Sequence, residues 1–130
     1  MKATTIIVCR ILLGAIFAFA GINGLLLLVG VEPVGPTSLH VPWMQVLVNT
    51  HFVFIPLKSL ELIAGILLLL NRFVPLALLA LLPIGVNIFL LHLFADQALL
   101  INGIVVLLLL AVLLSHYRGY YSGLFVAKAA

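Results

Sequence analysis

The chain has 130 residues, of which 66% are hydrophobic and 7% are charged. Soluble domains carry about 25% charged residues, so the composition excludes a soluble catalytic domain and predicts an integral membrane protein. The net charge of +3 is small and spread along the chain, which gives no indication of nucleic-acid binding. The single cysteine excludes an intramolecular disulfide and a C-x-x-C thiol relay.

Four apolar stretches have about the 20 residues that a helix needs to cross a bilayer. We therefore expect an all-α fold, an integral membrane four-helix bundle that forms one domain over residues 1–130, with a short interfacial segment between helices 1 and 2. Ala18 and Ala20 have the spacing of a signal-peptide cleavage site, but Arg10 interrupts the apolar core, so we expect an uncleaved first helix. The predicted spans are residues 5–29, 51–70, 73–94 and 98–116.

The first span carries a face of small residues. Arg10, Gly14 and Gly21 share this face at helical spacing, and small residues let helices approach closely in lipid. Arg10 either points at a partner helix or extends to the lipid headgroups. Asn23 lies on the opposite side from Gly14 by helical angle, so its polar group is not assigned to this packing face.

The connection from residue 30 to residue 50 is the only long one in the chain. Its first part is rich in proline and glycine and reads as loop. A short amphipathic stretch with the sole tryptophan, Trp43, follows, and tryptophan is typical of the membrane interface. We expect an interfacial turn or short helix that covers one side of the bundle.

The second span contains two ionisable residues inside an apolar run. Lys58 and Glu61 are three positions apart, so they share a helix face and can pair. His51, Gly65 and Arg72 extend this face at seven-residue intervals from Lys58. Charged residues inside spans are costly in lipid, so this stripe should face other helices or a wet cavity.

The third and fourth spans add further polar residues. Pro83 should kink the third span, and Asn87 follows it by one turn. His92 and Asp96, one turn apart, are interpreted as interfacial, with Asp96 capping the next helix. Asn102 lies near the start of the fourth span.

Basic residues predict the orientation in the membrane. The side of the two termini carries all the loop lysines and arginines, whereas the opposite side carries Glu32 and Asp96. The positive-inside rule therefore predicts that both termini are cytoplasmic. The basic residues on the side of the termini are Lys2, Arg72, Arg118 and Lys128.

With this orientation, the rise of about 1.5 Å per residue places one polar layer in the outer half of the bundle. The layer has two interpretations. Its members either satisfy one another as packing contacts, or they line a ligand pocket that opens outward beneath the loop of His40 and Trp43. No metal-ligand spacing is present, so we expect neither a metal site nor an intrinsic cofactor. The candidate pocket residues are Asn23, Lys58, Glu61, Asn87, His92 and Asn102.

Five segments occur in a fixed order along the chain: RILLGAIF (10–17), AGING (20–24), KSLELIAG (58–65), LNRFVPLA (70–77) and HLF (92–94). With Pro83 and Asn87, they resemble the DoxX family of small bacterial four-helix membrane proteins. The resemblance covers nearly the whole chain. Many relatives have a lysine at the position of Gly24, and Lys58 is the candidate for that charge here.

The resemblance implies a bacterial inner-membrane protein associated with quinone-linked oxidoreductases. Our first hypothesis is a small subunit that binds a quinone or similar molecule in the polar layer and receives electrons from a partner protein. The second is a protein that binds or transports a lipid or small solute. The third is a non-enzymatic assembly partner. Beyond the lipid bilayer, a second copy of the chain, in a homo-oligomer, is one candidate partner, because four short helices bury little surface between them.

Overall fold

The computed structural model describes residues 2–33, 42–95 and 97–128, and for Trp43 the helix but not the side chain. All regular structure in these residues is helical. Four helices are long and apolar enough to cross a membrane, so the prediction of an all-α membrane four-helix bundle is confirmed. The helices are α1 (Ala3–Leu28), α2 (Pro42–Asn49), α3 (His51–Leu69), α4 (Val74–Phe94) and α5 (Leu100–His116), with 3-10 turns at Gln97–Leu99 and Arg118–Phe125.

The helix ends follow from local backbone chemistry. α1 ends in a Schellman motif, in which Gly30 adopts φ +83° and the Val31 N–H donates to the Leu26 carbonyl at 3.0 Å. α3 ends in the same way, with Asn71 at φ 56° in the place of glycine. Pro75 then lies in the first turn of α4, where a proline costs no hydrogen bond. The predicted ends of all four spans differ from the observed ones by at most two residues.

The closest helix contact joins α1 and α3, which run antiparallel. A Cβ atom on Gly65 would lie 2.5 Å from the Ala18 nitrogen and 2.8 Å from the Gly14 carbonyl oxygen. A Cβ atom on Gly21 would lie 2.7 Å from the Leu62 nitrogen. These backbones touch because no side chain separates them, so Gly14, Gly21 and Gly65 do lie at a helix contact.

Arg10 extends the contact between α1 and α3. Its guanidinium is buried, and Nη1 donates to the Leu68 carbonyl and, at 3.4 Å, to the Leu69 carbonyl. The last carbonyls of a helix have no partner within the helix, and a cation is favourable near them. Arg10 therefore points at a partner helix rather than at the lipid headgroups.

The four long helices form a ring in which α1 packs against α3 and α5, and α4 packs against α5 and α3. One end of the ring, here called the terminus end, carries Lys2 and Arg118–Phe125. The other, here called the loop end, carries α2 and the start of α5. The apolar core fills the terminus-end half with side chains that are completely buried. These are Leu13, Phe17, Leu68, Leu78, Leu81, Val106, Leu110 and Leu113.

A short segment lies at each end of the ring. At the loop end, Val48 of α2 and Phe54 of α3 form a small apolar cluster of their own. At the terminus end, the Tyr121 hydroxyl donates to the Pro75 carbonyl at 2.7 Å. Burial, and to a lesser degree the neighbouring Tyr117, raise the pKa of Tyr121, so its hydroxyl remains a donor.

Candidate functional site

A cavity of about 960 Å³ occupies the loop-end half of the ring. Its walls come from α1, α3 and α4, with α2 and the start of α5 at the loop end. Most of the wall is apolar, and all six polar residues singled out in the sequence lie on it. The polar lining residues are Asn23, Lys58, Glu61, Asn87, His92 and Asn102.

The charged part of the wall is an ion pair on α3. Lys58 Nζ donates to Glu61 Oε2 at 3.0 Å, because a spacing of three places both side chains on one helix face. The pair is almost completely shielded, with Lys58 exposed by 7% and Glu61 by 2%. Lys58 Nζ also lies 5.6 Å from the centre of the Phe54 ring, within range of a cation–π interaction.

Gly24 of α1 determines where the Lys58 side chain lies. A Cβ atom at position 24 would lie 2.5 Å from Lys58 Cγ and 2.7 Å from Lys58 Cε. The aliphatic part of Lys58 therefore crosses α1 at Gly24, where that helix has no side chain. The sequence contained a signal for this role, because Gly24 follows Gly21 by three positions on the small face of α1.

Asn23 and His92 are the two most deeply buried polar residues of the wall outside the ion pair. Each is exposed by 3%. His92 is therefore enclosed by the bundle, near the loop end of α4. Its imidazole packs beside Gly103 of α5, where a Cβ atom would lie 3.4 Å from His92 Cδ2. Asn23 is buried although it lies away from the α3 contact, because a second side of α1 faces the cavity.

The two remaining asparagines lie at the exposed edge of the cavity. Asn87 Nδ2 donates to the Pro83 carbonyl one turn earlier, at 3.0 Å, and α4 continues through Pro83. Asn102 is also exposed. Both residues are therefore less enclosed than the other four, and Asn87 already uses part of its hydrogen-bonding capacity within its own helix.

The predicted stripe on α3, whose residues recur at intervals of seven, is only partly right. Lys58 and Gly65 are buried, but His51 and Arg72 are exposed. His51 begins α3 and Arg72 lies beyond its last residue, so both lie where the neighbouring helices no longer cover the face. Three further predictions, on His40, Asp96 and the Trp43 side chain, fall outside the described residues.

The chemistry of this wall favours a ligand whose polar head group lies at the ion pair and whose remainder is apolar. An ammonium group has three N–H donors, and the Glu61 carboxylate accepts one of them.

The described residues contain no group of three or more His, Cys, Asp or Glu side chains that could hold a metal ion.

Comparison of the chain with family models, with curated proteins and with solved structures gives no match. Membership of the DoxX family therefore stays a prediction from the sequence.

Proposed function

We propose that this protein is a DoxX-like subunit of a membrane redox system that binds a quinone, or a molecule with a similar head, in the loop-end cavity. The observation that carries the proposal is the Lys58–Glu61 pair, which is buried within a transmembrane helix and forms part of a cavity wall. Ionisable residues at such positions are expensive and are usually functional.

The head of the ligand should accept a hydrogen bond from the Lys58 ammonium. A quinone carbonyl is such an acceptor, and Glu61 is placed to hold the ammonium in position and to exchange protons with a quinol. No residue among those described is assigned to electron transfer. The proposal therefore includes a partner protein that supplies or removes electrons.

The proposal also includes the location of the protein. The four apolar helices make it a multi-pass membrane protein, and we place it in the bacterial inner membrane with the terminus end on the cytoplasmic side. The basic residues at the terminus end support this orientation. Cysteine labelling tests it in a Cys9→Ser background: Ser122→Cys should be protected from an impermeant maleimide in intact cells, and Thr50→Cys should react.

Native mass spectrometry of the gently extracted protein is the direct test of ligand binding. We expect a bound quinone in the wild type and its loss in Lys58→Met/Glu61→Gln, because the head then has no charged partner. Glu32→Gln is the matched control, since it removes an exposed carboxylate outside the spans. A ligand-free oligomer in wild type and variants alike would overturn the proposal and favour the assembly role.

Redox chemistry is separated from simple binding by a second measurement. The wild type, with its membrane partner retained, should reduce a short-chain quinone or oxidise the corresponding quinol, with the partner supplying or removing the two electrons. The double variant should lose this activity in proportion to the bound quinone. A protein that keeps a bound lipid in place of a quinone, and shows no such activity, would favour lipid binding.

A further inference from the structure

The loop-end cavity is not closed on the side of α1. Ala15 and Phe19 line the cavity and are also exposed, Phe19 by 45%. They follow Ile11 at intervals of four residues, so all three lie on one face of α1. Ile11 is exposed as well but does not line the cavity. The cavity wall thus continues into the surface of α1 that faces the lipid.

The same continuity holds on α4. Leu90 and Phe94 line the cavity and are exposed. They share the outer face of α4 with Leu79 and Val86, which are exposed but lie outside the cavity. All four side chains are apolar, so this edge of the cavity suits contact with hydrocarbon rather than with water.

The opening extends too far along α1 to lead only to the water–lipid interface. Ala15 is the thirteenth residue of the 26-residue helix α1, so the opening reaches the middle of a helix that is about 39 Å long at 1.5 Å per residue. Towards the loop end, the half-buried Met44 and Leu47 of α2 form part of the wall. Apolar side chains therefore stand between the ion pair and that end of the ring.

The size of the cavity exceeds what a head alone requires. Pockets for drug-sized ligands have volumes of roughly 300–1,000 Å³, and this cavity is near the upper limit at about 960 Å³. The polar groups are concentrated at the buried end of the wall, where Lys58, Glu61, Asn23 and His92 lie. Apart from Asn87 and Asn102 at the exposed edge, the remaining space is lined by apolar side chains and suits a hydrocarbon chain.

We infer that the ligand is an amphiphile with a compact hydrogen-bond-accepting head and a long apolar tail, and that it reaches the ion pair sideways from the bilayer. The head lies against Lys58, and the tail leaves past Ala15 and Phe19 on one side and Leu90 and Phe94 on the other. This inference rests on the proposed function for the position of the head. An isoprenoid quinone and a fatty acid share this chemistry, and their masses distinguish them.

The test compares three probes in nanodiscs: a benzoquinone head without a tail, the same head with a decyl tail, and oleate. We expect retention of a tailed probe at least tenfold above that of the bare head. Ala15→Leu narrows the opening and should reduce retention of the tailed probe at least tenfold without changing that of the bare head. Ala111→Leu is the matched control, because Ala111 is exposed on α5 and lies outside the cavity.

The outcomes separate the route of access from the proposed function. If the bare head binds as well as the tailed probe, and binding still requires Lys58 and Glu61, the sideways route is wrong and the proposed function stands. If tailed probes bind and respond to Ala15→Leu but not to Lys58→Met/Glu61→Gln, the route is right and the position of the head is wrong. If none of the three probes is retained by the wild type, both are wrong.

Discussion

The two halves of this small bundle use the same four helices in opposite ways. In the terminus-end half, the helices are drawn together by completely buried leucines and by the contact of Gly14 with Gly65. In the loop-end half, they leave a cavity of about 960 Å³ with a buried ion pair in its wall. The open half still contains one close contact between α1 and α3, where the Lys58 side chain lies against Gly24.

The largest effect should come from removing one partner of the ion pair. Glu61→Ala leaves the buried Lys58 ammonium unpaired, and we expect a loss of about 3 kcal/mol in the free energy of unfolding. Adding Lys58→Met should restore most of this loss, since an apolar pair has no buried charge. Thermal or denaturant unfolding in lipid nanodiscs measures both. An equal loss in the single and double variants would show that the charges are not coupled.

A smaller loss is expected from the packed half. Gly65→Ala places a methyl group 2.5 Å from the Ala18 nitrogen, and backbone atoms cannot move aside as a flexible side chain can. We expect a loss of about 2 kcal/mol, within the usual range for overpacking, with retention of any ligand at the loop end. Gly119→Ala is the control, because nothing lies within 4 Å of its added Cβ atom. Equal unfolding curves for the two variants would contradict the close contact of α1 with α3.

Gly24 lies in the loop-end half, and its effect should depend on Lys58. The three atoms nearest to a Cβ atom on Gly24 all belong to the Lys58 side chain, so for Gly24→Ala we expect a loss of about 1 kcal/mol and weaker ligand retention. In a Lys58→Ala/Glu61→Gln background the same substitution should cost nothing, since the obstructing side chain is absent. A double-mutant cycle measures this coupling. Additive effects would mean that Gly24 matters for helix packing alone.

An effect of similar size should come from the Tyr121 hydrogen bond at the terminus end. Tyr121→Phe removes the hydrogen bond to the Pro75 carbonyl, and a single bond of this kind contributes about 1 kcal/mol. Ligand retention should be unchanged because Tyr121 does not line the loop-end cavity. Tyr120→Phe provides the comparison, since Tyr120 is exposed. A loss of ligand in Tyr121→Phe alone would show that the two halves are more strongly coupled than the structure suggests.

The depth of each polar residue along the helix axis was easier to predict than the direction in which its side chain points around the helix. Hydropathy located the four spans, and the fixed rise per residue placed the polar residues in one layer, because both depend only on position along the chain. Whether Asn23 is buried depends on how many sides of α1 are covered by other helices. The sequence of α1 alone does not contain this information. The exposure of His51 and the burial of His92 depend in the same way on where the neighbouring helices begin and end.

Other parts of the site depend on contacts between distant residues. The role of Gly24 required knowing which side chain crosses it, although its spacing from Gly21 marked it as part of a small face. Arg10 left two possibilities open because its partners, the Leu68 and Leu69 carbonyls, are backbone groups without a sequence signature. The opening past Ala15 could not be predicted from the sequence, because apolar residues occur both at helix–helix contacts and on surfaces that face the lipid.

The bond from Arg10 to the end of α3 has a consequence for biogenesis. Arg10 enters the membrane with α1, but the carbonyls that receive its guanidinium belong to residues 68 and 69. Until α3 has left the ribosome and entered the bilayer, the arginine has to remain in the headgroup layer, because a lone charge in the hydrocarbon is costly. The first helix should therefore reach its final depth only when the first hairpin is complete, with α3 serving as the acceptor that draws the charge inward.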